Sequence, residues 1–127
     1  MAVIGYGIDV VEVARIKAEL ESPMKKWAEK VYSDDERAQA DAPPGDARYF
    51  AGRFAGKEAV AKALGTGFSG KVTWSGIEIL RLPSGAPTVR LSGGALEQAQ
   101  CLGVTGWVVS ISHCGGLAIA SVIAVSG

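Results

Sequence analysis

The last 30 residues of the chain, Gln98–Gly127, contain no aspartate, glutamate, lysine or arginine. All 13 basic and 13 acidic side chains lie in residues 1–97. A helix that spans a membrane needs about 20 mostly apolar residues, whereas two serines, a histidine and Gly115-Gly116 interrupt this segment. The segment is therefore predicted to form a buried hairpin, with strands at Trp107–Ser112 and Leu117–Val125.

Length and overall charge narrow the class of protein further. The chain has 127 residues, a formal net charge of zero and 48% apolar residues, which favours one folded domain spanning residues 1–127 over a disordered chain. Without a surplus of lysine and arginine, a general nucleic-acid binder is excluded. Two cysteines form no disulfide framework, and Met1-Ala2-Val3 is not the basic start of a signal peptide. We therefore expect a cytoplasmic protein that is not inserted in a membrane.

Shorter patterns along the rest of the chain predict helices and strands. Ala2–Ile8 is typical of a first strand, and Val10–Leu20 follows with apolar residues at helical spacing. Asp9 and Glu12 have the spacing of a capping box at the start of that helix. The other predicted elements are a short helix that Pro23 opens, a second capping box at Ser33–Glu36, a loop at Asp41–Gly45, a hairpin of Ile77–Leu82 with Thr88–Leu91, and a helix that Ser92 caps and that ends near Leu102. This order predicts an α+β fold, an antiparallel sheet with helices packed on one side.

The longest predicted helix is capped by Asp46 and ends at Leu64, with Gly65 in the C′ position. Alanine recurs at every fourth residue from position 47 to position 63, so one side of this helix is smooth. Gly52 and Gly56 lie on an adjacent row, and each glycine costs roughly 1 kcal/mol in helix propensity. A close approach of backbone or ligand is the expected compensation.

This helix also carries the first candidate reactive groups. Glu58 and Lys62 lie one turn apart on one face, whereas Arg53 and Lys57 lie on the opposite flank of the apolar stripe. Glu58 and Lys62 are therefore the better pair for a single reacting centre. The alternative is an ordinary Glu–Lys surface pair, which stabilises a helix by roughly 0.2–0.5 kcal/mol.

Two further candidates lie near the ends of the chain. Asp9 at a strand end is suited to Mg²⁺, which binds one or two carboxylates and completes its shell with waters and substrate phosphate; the alternative is a purely capping role. His113 lies at the tip of the uncharged hairpin, where Ser110, Ser112 and the turn amides could form a polar clasp for phosphate. The alternative is a partly buried histidine whose hydrogen bonds are satisfied within the chain.

Three motifs taken together resemble one known family. They are GIDVVE at Gly7–Glu12, RFAGKEAVAKALGTG at Arg53–Gly67 and SISH at Ser110–His113. Their order and spacing resemble the holo-acyl-carrier-protein synthases, the small stand-alone 4′-phosphopantetheinyl transferases, over nearly the whole chain. The resemblance implies a 4′-phosphopantetheinyl-transferase-like domain. It also implies that the chain moves the 4′-phosphopantetheine arm of coenzyme A onto a serine of apo acyl carrier protein, releasing adenosine 3′,5′-bisphosphate.

The resemblance also implies roles for individual residues. Asp9 and Glu58 match the carboxylates that bind magnesium, and Lys62 matches the lysine that contacts the pyrophosphate and assists proton transfer. The matches to the coenzyme A site are Arg53, Lys62, Gly65, Ser112 and His113. Whether Arg53 and Lys57 contact coenzyme A or are structural stays open. So does the general base, for which Glu58, Lys62 and a magnesium-bound water are the alternatives.

The expected partners follow from the same resemblance. The family docks its acidic carrier on the first helix, where Arg15 is the strongest candidate in a basic cluster that includes Lys17 and Lys25. The family usually forms homotrimers with active sites between subunits, which would bury the alanine row and the uncharged tail. The alternative function is a catalytically inactive trimeric module that binds coenzyme A or a nucleotide. One departure is Cys114, which stands where the family commonly has an acidic residue, and the choice between a fatty-acid and a polyketide carrier stays open.

Overall fold

The computed structural model describes residues 1–23, 26–40 and 46–127. These described residues contain five helices and five antiparallel strands, which confirms the predicted α+β class. In chain order the elements are β1 (Ala2–Glu12), α1 (Val13–Glu21), α2 (Lys26–Val31), α3 (Asp34–Ala38), α4 (Ala47–Leu64), β2 (Ile77–Arg81), β3 (Pro87–Leu91), α5 (Gly93–Leu102), β4 (Gly106–Cys114) and β5 (Leu117–Ser126). The predicted loop at Asp41–Gly45 lies outside the described residues, as does Lys25.

The uncharged tail forms the predicted hairpin, but the predicted burial is confirmed only for β5, because β4 is an edge strand without a buried residue. β4 and β5 pair antiparallel, and β1 adds to the other edge of β5, so that the order of this sheet is β1-β5-β4. The turn uses Gly115 and Gly116, whose φ angles of 55° and 82° favour glycine. β2 and β3 form a separate two-stranded sheet.

The start of the first helix differs from the prediction. β1 continues to Glu12, pairing Asp9 with Ala120 and Glu12 with Leu117 of β5. α1 therefore begins at Val13, and Glu12 occupies the N-cap position without a side-chain cap bond. The predicted capping box of Asp9 and Glu12 is wrong, because pairing with β5 holds this segment as strand. The carboxylate of Asp9 is thereby free for another role.

The other predicted helix caps are largely confirmed. Ser33 Oγ accepts from the Glu36 amide at 3.2 Å, and the Ser33 amide donates to Glu36 Oε1 at 3.0 Å, which completes a capping box. Asp46 caps α4 through the amide of Arg48 at 3.2 Å, and Gly65 ends it with a φ of 79°. Ser92 occupies the N-cap of α5, but its side chain makes no cap bond.

The smooth side of α4 packs against β1 of the same chain. Gly7 lies so close that an added Cβ would be 1.9 Å from the carbonyl oxygen of Ala59, and Gly5 is placed similarly against Ala63. Ala55 and Ala59 are fully buried. The expected role of the alanine row in a subunit interface is therefore wrong, because these residues are already covered by their own chain.

The two helix glycines of α4 are closely packed, but by side chains and not by the backbone or ligand that the sequence predicted, so that expectation is wrong. A Cβ added at Gly56 would lie 2.9 Å from Ile79 Cγ1, and one added at Gly52 would lie 3.2 Å from His113 Nε2. Side chains of β2 and β4 thus occupy the space that larger residues on α4 would need. The packing fixes the distance of α4 from both sheets.

α4 packs against one face of the three-stranded sheet. On the other face, Tyr6, Ile8 and Val10 of β1 and Val108 of β4 are exposed. Across the described ranges, no helix combines the length and the apolar character that crossing a membrane requires.

Candidate active site

The structure brings two of the predicted residues into direct contact. Lys62 Nζ donates to Asp9 Oδ1 at 3.0 Å and to the carbonyl oxygen of Ile8 at 2.9 Å. The Asp9 side chain is 18% exposed and that of Lys62 is 52% exposed, so solvent and ligands can reach the lysine. The end of α4 and the middle of β1 therefore form one polar site.

Glu58 belongs to the same site. Burial raises the pKa of its carboxyl group, and the negative charge of Asp9 raises it further, while Lys62 and Arg15 act in the opposite direction. The charges of Asp9 and Glu58 thus act on each other, although the two residues lie on different elements. Two carboxylates whose charges repel each other are a site that a bound cation could stabilise.

The donor set fits magnesium. Asp9 and Glu58 could supply two carboxylate ligands. Within residues 1–23, 26–40 and 46–127, no group of three or more histidine, cysteine or acidic side chains is placed to hold a metal. Mg²⁺ characteristically binds one or two carboxylates and takes the rest of its shell from waters and substrate phosphates. A site with two carboxylates and an exposed lysine has this composition.

Arg15 of α1 approaches the same face of α4. Its guanidinium carbon lies 5.1 Å from the ring centroid of Phe54, which is buried one turn before Glu58. The positive charge of Arg15 is also one of the groups that act on the pKa of Glu58. The exposed first helix, the proposed docking element, is therefore linked directly to the site.

His113 occupies a different place. Its Nε2 lies 2.9 Å from the carbonyl oxygen of Arg48, and its ring packs against Gly52 near the start of α4. Gly52 and Lys62 are ten residues apart, which is about 15 Å along a helix axis. Within one chain, His113 and the Asp9–Lys62 contact thus lie at opposite ends of α4.

A cleft of about 400 Å³ lies beside His113. Arg48, Cys114 and the Gly115-Gly116 turn contribute to its lining. Ser112 precedes His113 on β4, and consecutive strand side chains point to opposite faces. Of the predicted phosphate clasp, His113 and the turn amides therefore lie on one side of the sheet, whereas Ser112 is exposed on the other side.

Arg53 and Lys57 are buried within the chain. The guanidinium carbon of Arg53 lies 4.3 Å from the ring centroid of Tyr49, and the residue is only 8% exposed. Lys57 is fully enclosed and pairs with Glu36 at 2.7 Å. Gly65, by contrast, is exposed, and nothing lies within 4 Å of the position of an added Cβ.

Glu36 is the residue that sequence reasoning missed. Its place in the Ser33–Glu36 capping box accounts for only one of its bonds. The same carboxylate pairs with Lys57 and accepts from the amide of Ile79. Helical spacing predicts a capping partner for Ser33. It does not predict contacts with Lys57 and Ile79, which lie 21 and 43 positions away from Glu36.

Comparison with known proteins identifies the family. A sequence model of the 4′-phosphopantetheinyl transferase superfamily matches residues 5–119. A holo-[acyl-carrier-protein] synthase of Natranaerobius thermophilus is 46% identical over 121 residues, which cover 95% of this chain and 96% of the relative. The Helicobacter pylori holo-[acyl-carrier-protein] synthase in complex with coenzyme A superimposes with a TM-score of 0.82 at 33% identity, covering 94% of this chain and 99% of that one.

A second solved structure extends the likeness. The Plasmodium yoelii acyl carrier protein synthase with ADP bound has a TM-score of 0.86 at 32% identity, over 99% of this chain and 97% of that one. Sequence and structure thus match along almost the whole length of the chain, through each of the three motifs. The chain belongs to the 4′-phosphopantetheinyl transferase superfamily, among the holo-acyl-carrier-protein synthases.

Proposed function

We propose that this chain transfers the 4′-phosphopantetheine arm of coenzyme A to a serine of an apo acyl carrier protein and releases adenosine 3′,5′-bisphosphate. The observation that carries the proposal is the contact of Lys62 with Asp9 beside Glu58. These residues come from two of the three family motifs. Two carboxylates that could hold a metal ion, next to an exposed lysine, supply the charges that stabilise transfer from a pyrophosphate.

Asp9 and Glu58 would hold Mg²⁺, which when bound neutralises charge on the pyrophosphate and on the leaving phosphate. Lys62 binds the pyrophosphate through its exposed ammonium group, exchanging its contact with Asp9 for one with a phosphate oxygen. The proton of the attacking serine passes to Glu58, to Lys62 in its neutral form or to a magnesium-bound water, which are the three alternatives for the general base.

The experiment that tests the function is mass spectrometry of the carrier. Apo carrier protein incubated with the chain, coenzyme A and Mg²⁺ should gain the mass of one phosphopantetheinyl group, and a carrier with alanine at its acceptor serine should gain none. Running fatty-acid and polyketide carriers in parallel identifies the preferred substrate. Binding of coenzyme A without any mass gain on several carriers would instead support the inactive binding module.

Docking of the carrier is assigned to α1. Arg15 and Lys17 are exposed there, and Lys26 and Lys30 add to them on α2, although Glu12, Glu19, Glu21 and Glu29 dilute the positive charge. Local basic charge suits an acidic partner and acts mainly on the encounter rate. Arg15 also lies over Phe54 beside Glu58, so a carrier bound to it would be close to the reacting groups.

Arg15→Gln is expected to raise the KM for the carrier about tenfold, because it removes a charge opposite an acidic partner. The KM for coenzyme A should change little. Steady-state kinetics with varied carrier concentration measure both values, and Lys71→Gln, at an exposed position next to Gly94 of α5, serves as the matched control. An unchanged KM for the carrier in Arg15→Gln would remove α1 from the docking surface.

A homotrimer is the proposed assembly. Tyr6, Ile8, Val10 and Val108 expose an apolar face of the sheet, and patches of this kind are typical of subunit interfaces. A three-fold arrangement buries the same surface on every subunit. It would also allow His113 of one subunit to join Asp9 and Lys62 of its neighbour, which lie at the far end of α4 within one chain.

Shared sites predict complementation. Chains carrying Asp9→Ala and chains carrying His113→Ala are each expected to be inactive, and mixed trimers should regain part of the transfer activity. The reason is that some sites in a mixed trimer receive an intact Asp9 and an intact His113 from different subunits. Remixing either variant with itself is the control, sedimentation velocity verifies the trimer, and activity that never returns in verified mixed trimers would contradict sharing.

A further inference from the structure

Lys57 is the most completely bonded charged group of α4, although it touches no candidate ligand site. Its ammonium group is fully buried, and it donates to Glu36 Oε1 at 2.7 Å, to the carbonyl oxygen of Trp74 at 2.8 Å and to that of Ile77. An ammonium group has three protons, so each proton of Lys57 has an acceptor. The arrangement leaves no proton for a substrate.

Glu36 completes the connection. Its Oε1 also accepts from the amide of Ser33 at 3.0 Å, and its Oε2 accepts from the amide of Ile79 at 2.9 Å. The ion pair therefore joins α4 to α3, to β2 and to the turn that precedes β2. Four separate segments of the chain meet at one pair of charges.

Stability alone does not account for a buried pair of this kind. Burial lowers the pKa of Lys57 and raises the pKa of Glu36, and the attraction between the two groups acts in the opposite direction. Apolar residues of similar volume often replace such pairs with no loss of stability. An apolar pair has no directional hydrogen bonds. The hydrogen bonds of Lys57, by contrast, have good geometry only at one rotation of α4 relative to β2.

The position of Lys57 around α4 shows that these hydrogen bonds fix the rotation of the helix about its own axis. Successive residues of a helix are about 100° apart around its axis, so Lys57 and Ala59 lie on opposite flanks and Glu58 lies between them. Ala59 is held against Gly7 of β1, and Lys57 is held against β2 and α3. The rotation of α4 about its own axis is therefore fixed on both sides of Glu58.

We infer that the Lys57–Glu36 pair is a positioning element of the active site, which holds α4 at the rotation where Glu58 and Lys62 face Asp9. The inference rests on the proposed function, in which Asp9 and Glu58 hold the metal. Through the carbonyl oxygen of Trp74, the same pair also holds the turn whose indole stacks on Phe54 at 5.1 Å, under Arg15. Lys57 acts on the reaction through Glu58 and not by contact with substrate.

The test is a neutral pair that keeps the packing. Lys57→Met with Glu36→Gln removes both charges and all three donors of Lys57, while the glutamine oxygen can still accept from the amide of Ile79. Changes in groups that orient metal ligands typically lower metal affinity or activity by about 10–100-fold. We expect a loss of that size in kcat and in the affinity for Mg²⁺, with the KM for the carrier little changed.

Two comparisons separate positioning from general damage. Asp34→Asn with Arg37→Gln removes an ion pair whose two side chains both belong to α3, so kcat should stay at the parent value. Lys57→Gln with Glu36→Gln restores a hydrogen-bonded amide pair and should recover part of the lost kcat. Kinetics are measured well below the Tm of each variant, and Mg²⁺ binding is titrated calorimetrically with coenzyme A present.

The outcomes are decisive in either case. A folded Met/Gln variant with the kcat and the Mg²⁺ affinity of the parent would overturn the inference. If that variant does not fold, the apolar pair Lys57→Met with Glu36→Leu decides, because it removes every one of these side-chain hydrogen bonds, and parent-like values in it would overturn the inference equally. A parent protein that modifies no carrier would refute the proposed function instead, and the Mg²⁺ titration would still report on positioning.

Discussion

Glu58→Gln is expected to reduce transfer by about 100-fold or more and, at the same time, to make the metal-free protein more stable at neutral pH. The loss of transfer follows because one of the two carboxylates that hold Mg²⁺ becomes a neutral amide. Removing a single group that stabilises transition-state charge costs about 100- to 1,000-fold in kcat in well-studied enzymes. Asp9→Asn should lose activity to a similar extent, for the same reason.

The gain in stability follows from the pKa of Glu58. Burial and the charge of Asp9 raise this pKa above its ordinary value, so the folded chain binds the proton more tightly than the unfolded chain does. Between the ordinary pKa and the raised pKa, the free energy of unfolding therefore falls as the pH rises. Glutamine has no proton to lose, so the Tm of the variant should exceed that of the parent at pH 7 and should depend less on pH.

Thermal unfolding in EDTA and in Mg²⁺ measures both parts of this prediction. Ligands that bind only the folded state raise the Tm, so Mg²⁺ with coenzyme A should stabilise the parent and should have much less effect on Glu58→Gln. Glu97→Gln, at an exposed position of α5, is the matched control and should behave like the parent. A Glu58→Gln protein that is less stable than the parent in EDTA at pH 7, or that retains a tenth of its transfer activity, would contradict the assignment.

Local patterns predicted the parts of the fold that depend on neighbouring residues. The α4 helix from Asp46 to Gly65, the capping box at Ser33 and the hairpin turning at Gly115-Gly116 are each determined within a few positions. The pairing of Glu58 with Lys62 on one helix face follows from helical spacing in the same way. These features need only backbone geometry and a short stretch of sequence.

The remaining features depend on distant partners. Asp9 to Glu12 has the spacing of a helix start, but β5 pairs with these residues and keeps them in β1. Asp9 meets Lys62 across 53 positions of sequence; the family resemblance implied that both belong to the active site, but it did not predict their contact. Helical spacing placed Lys57 on the correct flank of α4, but no pattern in the sequence predicted that Glu36 would pair with it there.

Gly7→Ala is expected to lower the free energy of unfolding by about 3 kcal/mol, the upper end of the range for overpacked interiors. An added Cβ at Gly7 would lie 1.9 Å from the carbonyl oxygen of Ala59 and 2.8 Å from its carbonyl carbon. Both partners are backbone atoms, so no change of side-chain rotamer can relieve the contact. Either β1 or α4 must move away from the other.

That displacement should also reduce transfer, because it acts on the distance between the two carboxylates. Gly7 lies two residues before Asp9 on β1, and Ala59 directly follows Glu58 on α4. A shift that relieves the Cβ contact therefore separates Asp9 from Glu58. The Mg²⁺ concentration required for half-maximal transfer should then rise as the stability of the variant falls. Denaturant unfolding in EDTA and the carrier-modification assay at a temperature where the variant is folded measure the two effects.

Gly106→Ala provides the matched control, since Gly106 also lies in the three-stranded sheet. The nearest atom to its added Cβ is Val125 Cγ2 at 3.3 Å, and this methyl group belongs to a side chain that can adjust. We expect a change below about 1 kcal/mol and normal transfer for this variant. If Gly7→Ala were as stable and as active as Gly106→Ala, α4 would be free to shift against β1. The contact of Gly7 with Ala59 could then not be what fixes Glu58 opposite Asp9.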